Sequence, residues 1–161
     1  MLNTFPIDSR LWIFGTNNDL STSEIEYINN KLEIFINSWN THGKLLKSSF
    51  KILHKRFILV STEDSIVNPS GCSIDSLMNL IMNLDSELKT NFFNTSDNIF
   101  YRDENNVIQS VSRIKFSILA KENIINSRTL VFDNVISNTN ELLFWEKPAF
   151  ESWHSRAFSL N

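Results

Sequence analysis

The sequence predicts an α+β fold: a single globular domain over residues 1–161, with a mixed or antiparallel sheet, two main amphipathic helices and one or two shorter ones. Three observations predict it. Two segments repeat apolar residues every three to four positions, the period of a helix with one buried face. Several short runs of β-branched and aromatic residues end in polar turn formers, as strands do. Strands and helices alternate irregularly, with a hairpin among them, which favours α+β over a doubly wound parallel sheet.

Leu11-Trp12-Ile13-Phe14, stopped by Gly15-Thr16-Asn17-Asn18, reads as a first strand and its turn. A helix follows. Ser21 and Ser23 each stand three residues before a glutamate, Glu24 and Glu26, which is capping-box spacing. Ile25, Ile28, Leu32, Phe35, Ile36 and Trp39 then form its apolar face. Gly43 suits the left-handed position after this helix, which places His42 in the last turn. Ser48–Thr62 contains Phe50, Ile52 and Phe57-Ile58-Leu59-Val60, and reads as two strands or one bent strand about His54-Lys55. A turn-rich loop with Asp64, Asn68, Pro69 and Ser70 leads to a second helix near Ser73, with Leu77, Leu80, Ile81, Leu84 and Leu88 on one face and Asp75 in the first turn.

Ile99–Tyr101 and Val107–Val111 flank a polar loop and read as a hairpin. Ser112–Asn123 is a weaker helix with Phe116, Leu119 and Ala120 on one side, and Thr129–Phe132 a last strand. A short helix around Glu141–Trp145 ends before Pro148. The tail Trp153–Phe158 is aromatic enough to pack.

Composition bounds the function. At 161 residues and 18.7 kDa the chain can hide roughly 70% of its unfolded surface. Apolar residues at 42% exclude a disordered chain, and a net charge of −3 argues against a dedicated nucleic-acid binder. The lone cysteine, Cys72, excludes an internal disulfide framework and any multi-cysteine zinc site. With His42, His54 and His154 far apart in sequence, no metal-ligand spacing occurs, and no cofactor is expected. No leader or membrane-spanning apolar run is legible, so the expected location is the cytoplasm. Asn occurs 21 times and Gly three times, a bias that makes individual surface Asn uninformative and leaves Gly15, Gly43 and Gly71 as positions where backbone geometry is expected to demand glycine.

The segment Asn68-Pro69-Ser70-Gly71-Cys72-Ser73-Ile74-Asp75-Ser76 is the most suggestive. A cysteine in the first turn of a helix meets free N–H groups and the positive end of the dipole, which stabilise a thiolate. Gly71, Ser73, Asp75 and Ser76 around it, with the Ser70 hydroxyl nearby, also make a seat for a small anion. The plainer reading is a capped helix start, with Ser73 as cap, Asp75 satisfying first-turn amides and Cys72 buried as a small apolar residue. As bases for Cys72, His154 comes first and His42 second. The plainer reading of His154 is a residue packed on Trp153 that donates to a backbone carbonyl. The run Lys44, Lys47, Lys51, Lys55 and Arg56 reads as a solvated strand face whose lysines discourage edge-to-edge aggregation. Trp145 and Trp153 are read as a clamp for the tail.

Ile7-Asp8-Ser9-Arg10-Leu11-Trp12, Trp39-x-x-His42-Gly43, Arg56-Phe57, Gly71-Cys72-Ser73-Ile74-Asp75-Ser76 and Trp153-His154-x-Arg156 together resemble a family of small bacterial proteins common in Bacteroidetes and often labelled "ABC transporter ATPase". The resemblance runs from about residue 5 to 158. It implies membership and no assigned chemistry. A P-loop needs two glycines five residues apart followed by Lys and Ser or Thr; here successive glycines are 28 apart and Gly43-Lys44 precedes Leu45, so ATPase activity is not expected. The function expected is binding, to a protein partner or to a small anion at the helix start 71–76. The alternative is a cysteine-dependent enzyme with Cys72 as nucleophile and His154 or His42 as base.

Overall fold

The computed structural model describes residues 5–65 and 67–161, with the side chains of Thr95 and Ser96 left aside. It shows the α+β class, with antiparallel sheets, two long helices and two shorter ones. Its contacts divide the chain into two compact units, residues 1–93 with 136–142 and residues 94–135 with 143–161.

The first unit is a three-stranded antiparallel sheet and two long helices. β1 (Arg10–Gly15), β4 (Ser48–Leu53) and β5 (Phe57–Thr62) pair in the order β1-β5-β4. β5 is central and buried along its whole length, which is why Phe57-Ile58-Leu59-Val60 reads as an unbroken apolar run. The 48–62 region is therefore two strands. His54 and Lys55 both take positive φ, 53° and 52°, and the Arg56 amide donates to the Leu53 carbonyl at 3.0 Å, closing a tight hairpin from a dipeptide poor in turn propensity. Arg56 holds the turn. Its buried guanidinium donates to the Asp19 carboxylate from Nε and Nη2 and to the Asn17 carbonyl at 2.9 Å. Lys47 pairs with Glu63 at 2.7 Å, so the basic run is divided among separate tasks.

α1 (Thr22–Ser38) starts at Ser21, whose side chain and Glu24 form the reciprocal capping box. It ends earlier than the sequence predicts. Trp39 is already extended, and the chain enters a two-residue hairpin, β2 (Asn40–Thr41) with β3 (Lys44–Leu45). Gly43 has the expected positive φ, 78°, but it and His42 (48°) form the hairpin turn instead of a helix stop. His42 is thus in a hairpin turn and not in a helix's last turn.

α2 (Gly71–Leu88) starts two residues earlier than predicted. Its cap is Ser70, which accepts the Ser73 amide; Ser73 is the third helical residue and Asp75 the fifth, beyond the first turn. Gly71 has no positive φ, and a Cβ there would meet nothing within 4 Å, so its backbone does not require glycine. Leu77, Ile81 and Leu84 join Ile28, Leu32, Ile58, Val60 and Phe92 in the core. After the left-handed Lys89, Asp85 accepts the Phe92 and Phe93 amides at 2.7 and 2.8 Å and the Thr90 hydroxyl at 2.7 Å, satisfying the chain as it leaves the helix.

In the second unit, β6 (Asn98–Arg102) and β7 (Ile108–Ser112) form the predicted hairpin, extended by β8 (Leu130–Phe132) and β9 (Glu146–Pro148) in the order β7-β6-β8-β9. β8 is not the last strand. Pro148 is tolerated because β9 lies at the sheet edge. Glu141–Trp145, read as a short helix, overlaps a 3-10 turn over Thr139–Phe144. α3 (Arg113–Lys121) is capped by Ser112 and buries Phe116 and Leu119 against Ile99, Tyr101 and Val131. The tail forms α4 (Trp153–Phe158), with Trp153 and Phe158 packed on that core.

Candidate functional site

The start of α2 is fixed by side-chain hydrogen bonds. Ser70 Oγ accepts the Ser73 amide at 3.2 Å and lies 2.9 Å from Ser73 Oγ. Ser73 Oγ donates to the Asn40 carbonyl at 2.8 Å, and the Ser70 amide donates to Thr41 Oγ1 at 3.2 Å. Trp39 Nε1 donates to the Ser73 carbonyl at 2.8 Å. The last three of these bonds fasten the β2–β3 hairpin and the end of α1 to the first turn of α2. The amides of Gly71 and Cys72, the first two of the helix, have no acceptor among the described residues, as the geometry of a helix start dictates.

An open pocket of about 410 Å³ sits at this junction. Phe35 and Trp39, with rings 5.1 Å apart, give it an aromatic wall. His42 lines it from the hairpin turn, and Ser70, Cys72, Ser73 and Ser76 line it from α2. Of the residues singled out in the sequence, the structure brings Cys72, Ser73, Ser76 and His42 together here. Gly71 and Asp75 lie on the same helical turns but do not line the pocket. Cys72 is exposed, so it is not the buried apolar residue of the plainer reading. Ser76 Oγ donates to the Cys72 carbonyl at 2.9 Å.

His154 belongs to the second unit and is 1% exposed. Its ring stacks on Trp153 at 3.9 Å, as the plainer reading expects, and faces Phe116 and Phe158. Its Nδ1 is 2.8 Å from Ser152 Oγ, so a hydroxyl stands where a backbone carbonyl was expected. Burial pushes its pKa down to about 4, with Lys147 and Arg113 reinforcing the shift and Asp133 opposing it. A neutral imidazole enclosed by aromatic rings is a packing group in this unit.

Two contributors escaped the sequence reading, and the cap read at Ser73 falls on Ser70. Phe35 and Trp39 were assigned to the core, where Trp39 also belongs; its position on the pocket follows from α1 ending at Ser38. Among the described residues no three His, Cys, Asp or Glu side chains cluster to hold a metal ion, and no helix is long and apolar enough to cross a membrane. Gly43-Lys44 forms a hairpin turn and edge, not the strand-to-helix loop of a P-loop.

No protein-family model, curated protein or solved structure matches the chain.

Proposed function

We propose that the protein acts by binding, without catalysis, and that it takes a small anion in the pocket at the start of α2. The observation that carries this reading is that the exposed first turn of α2, with two amides that no described residue fills, shares one open pocket with His42 and an aromatic wall. A helix start attracts negative charge through its amides and dipole. The Ser70 and Ser73 hydroxyls hold the turn in place while the amides receive the ligand. The exposed free thiol of Cys72 fits a reducing compartment, and we place the protein in the cytoplasm. We also keep it with the small bacterial family whose motif residues it carries, without the ATPase activity of that family's usual label.

Titration of the ¹⁵N-labelled protein with inorganic phosphate tests the reading. The Gly71 and Cys72 amides and the His42 ring are expected to shift together and to saturate in the millimolar range, the affinity of an exposed site with few contacts. Unsaturated drift spread over all surface amides would overturn it.

A second reading is favoured by one observation: exposed Cys72 lines the same pocket as His42. On that reading Cys72 is a nucleophile and His42 its base. Cys72→Ser separates the two. Binding requires that this variant keep its phosphate response; a response that vanishes with the thiol favours the cysteine enzyme.

A further inference from the structure

We propose that the second unit carries a separate site for a neutral, polyhydroxylated molecule of the sugar class, in the cleft between the β6–β7 turn and the chain that follows α3. The cleft has a volume of about 850 Å³, within the range that encloses small ligands. One of its lining residues is Tyr101, which is 7% exposed and packs edge-on against Phe116 at 5.7 Å. Its hydroxyl has no hydrogen-bond partner among the described residues. The ring is buried, and the hydroxyl opens onto the cleft. Burial and the nearby Asp103 raise its pKa, so the phenol stays protonated and can both donate and accept.

The other charged groups divide into committed and free. Asp103 accepts the Asn105 and Val107 amides, both at 2.9 Å, and the Gln109 side chain at 2.7 Å. Arg102 is held by Glu146 and by the Asn106 carbonyl. Arg128 has no ion-pair partner among the described residues, and the Asn105 and Asn123 side chains make no hydrogen bond there. Two arginines and two acids, Asp103 and Glu104, leave the lining with no net charge, so it does not select an anion. Four of the twelve lining residues are Asn, against 21 of 161 in the whole chain, a density above the compositional bias. Planar side chains that donate and accept at adjacent atoms match pairs of neighbouring hydroxyls. Exposed Ile124 supplies an apolar surface for the C–H face of a sugar ring.

The test is an amide-shift titration of the full chain with glucose, galactose, mannose and N-acetylglucosamine separately, and with inorganic phosphate as the anionic arm. At least one sugar is expected to give saturable shifts confined to residues 101–106 and 123–130. Tyr101→Phe, which removes only the hydroxyl, is expected to weaken that sugar about five- to tenfold, the loss of one neutral hydrogen bond. Arg128→Met, at an exposed position, is expected to weaken it without disturbing the fold. No saturable response to any of the four sugars, a response to phosphate in their place, or unchanged affinity in both variants would overturn the proposal.

Discussion

His154 shows at the residue scale how burial decides what a titratable group can do. The order Trp153-His154 was enough to predict stacking, and the ring does stack; only the identity of its polar partner, Ser152, depended on the cap geometry of α4. The stability consequence has a definite sign. The unfolded chain takes up the histidine proton near its ordinary value of 6.5, whereas the folded protein resists it down to about 4. Between those values the unfolded state binds more protons, so stability is full above pH 6.5, falls as pH drops to 4, and loses no more from this group below that. The group's share of the loss is of the order of 3 kcal/mol. Denaturant unfolding at pH 7.5, 6 and 4.5 measures it as the difference between wild type and His154→Gln, which cancels the carboxylates titrating in the same window. A difference independent of pH would show that His154 is not held neutral. Gly71 carries the opposite lesson. Its rarity as a residue type made it look obligatory, yet the backbone takes an ordinary conformation there, and Gly71→Ala is expected to leave stability unchanged or raise it by about 0.4–1 kcal/mol.

The helices were legible as elements wherever their apolar period was long, and their ends were legible only where one cap outcompeted the rest. Ser21 and Ser23 offered two capping boxes for α1, and Ser21 won; for α2 the cap read at Ser73 falls on Ser70, which leaves Ser73 as a bridge to Asn40. The end of α1 was missed because a left-handed glycine serves equally after a helix and in a two-residue hairpin, and only the pairing of Asn40–Thr41 with Lys44–Leu45 distinguishes them. The His54-Lys55 turn was left open for a different reason: neither residue type favours the positive φ that both adopt. These joints make a prediction about α2. Ser70→Ala removes a cap and is expected to cost about 1 kcal/mol. Trp39→Phe leaves the Ser73 carbonyl without its indole donor inside the core and is expected to cost about 1–3 kcal/mol. Both are read from denaturant midpoints. Because each loosens the pocket as well, each is also expected to weaken the phosphate response in proportion, which a purely structural cap elsewhere, such as Ser112→Ala on α3, would not do.

For the molecule as a whole, class was easier to read than chemistry. Irregular alternation of helical and strand periods was sufficient for α+β, and β9 was hidden only because three residues with a proline carry almost no strand signal. The site was half legible: the Gly-Cys-Ser segment marked the helix start, but the aromatic wall and His42 reach it through the fold, which no local spacing encodes. The central claim is that this pocket receives an anion beside Cys72. The measurement that meets it most directly is the rate of Cys72 alkylation by a neutral reagent in the folded protein, with and without phosphate, and with Cys72→Ser as the blank. An occupied pocket shields the thiol, so alkylation is expected to be fast in phosphate-free buffer and to slow saturably, with the same midpoint as the amide shifts of Gly71 and Cys72. Alkylation at a rate indifferent to phosphate would contradict the account.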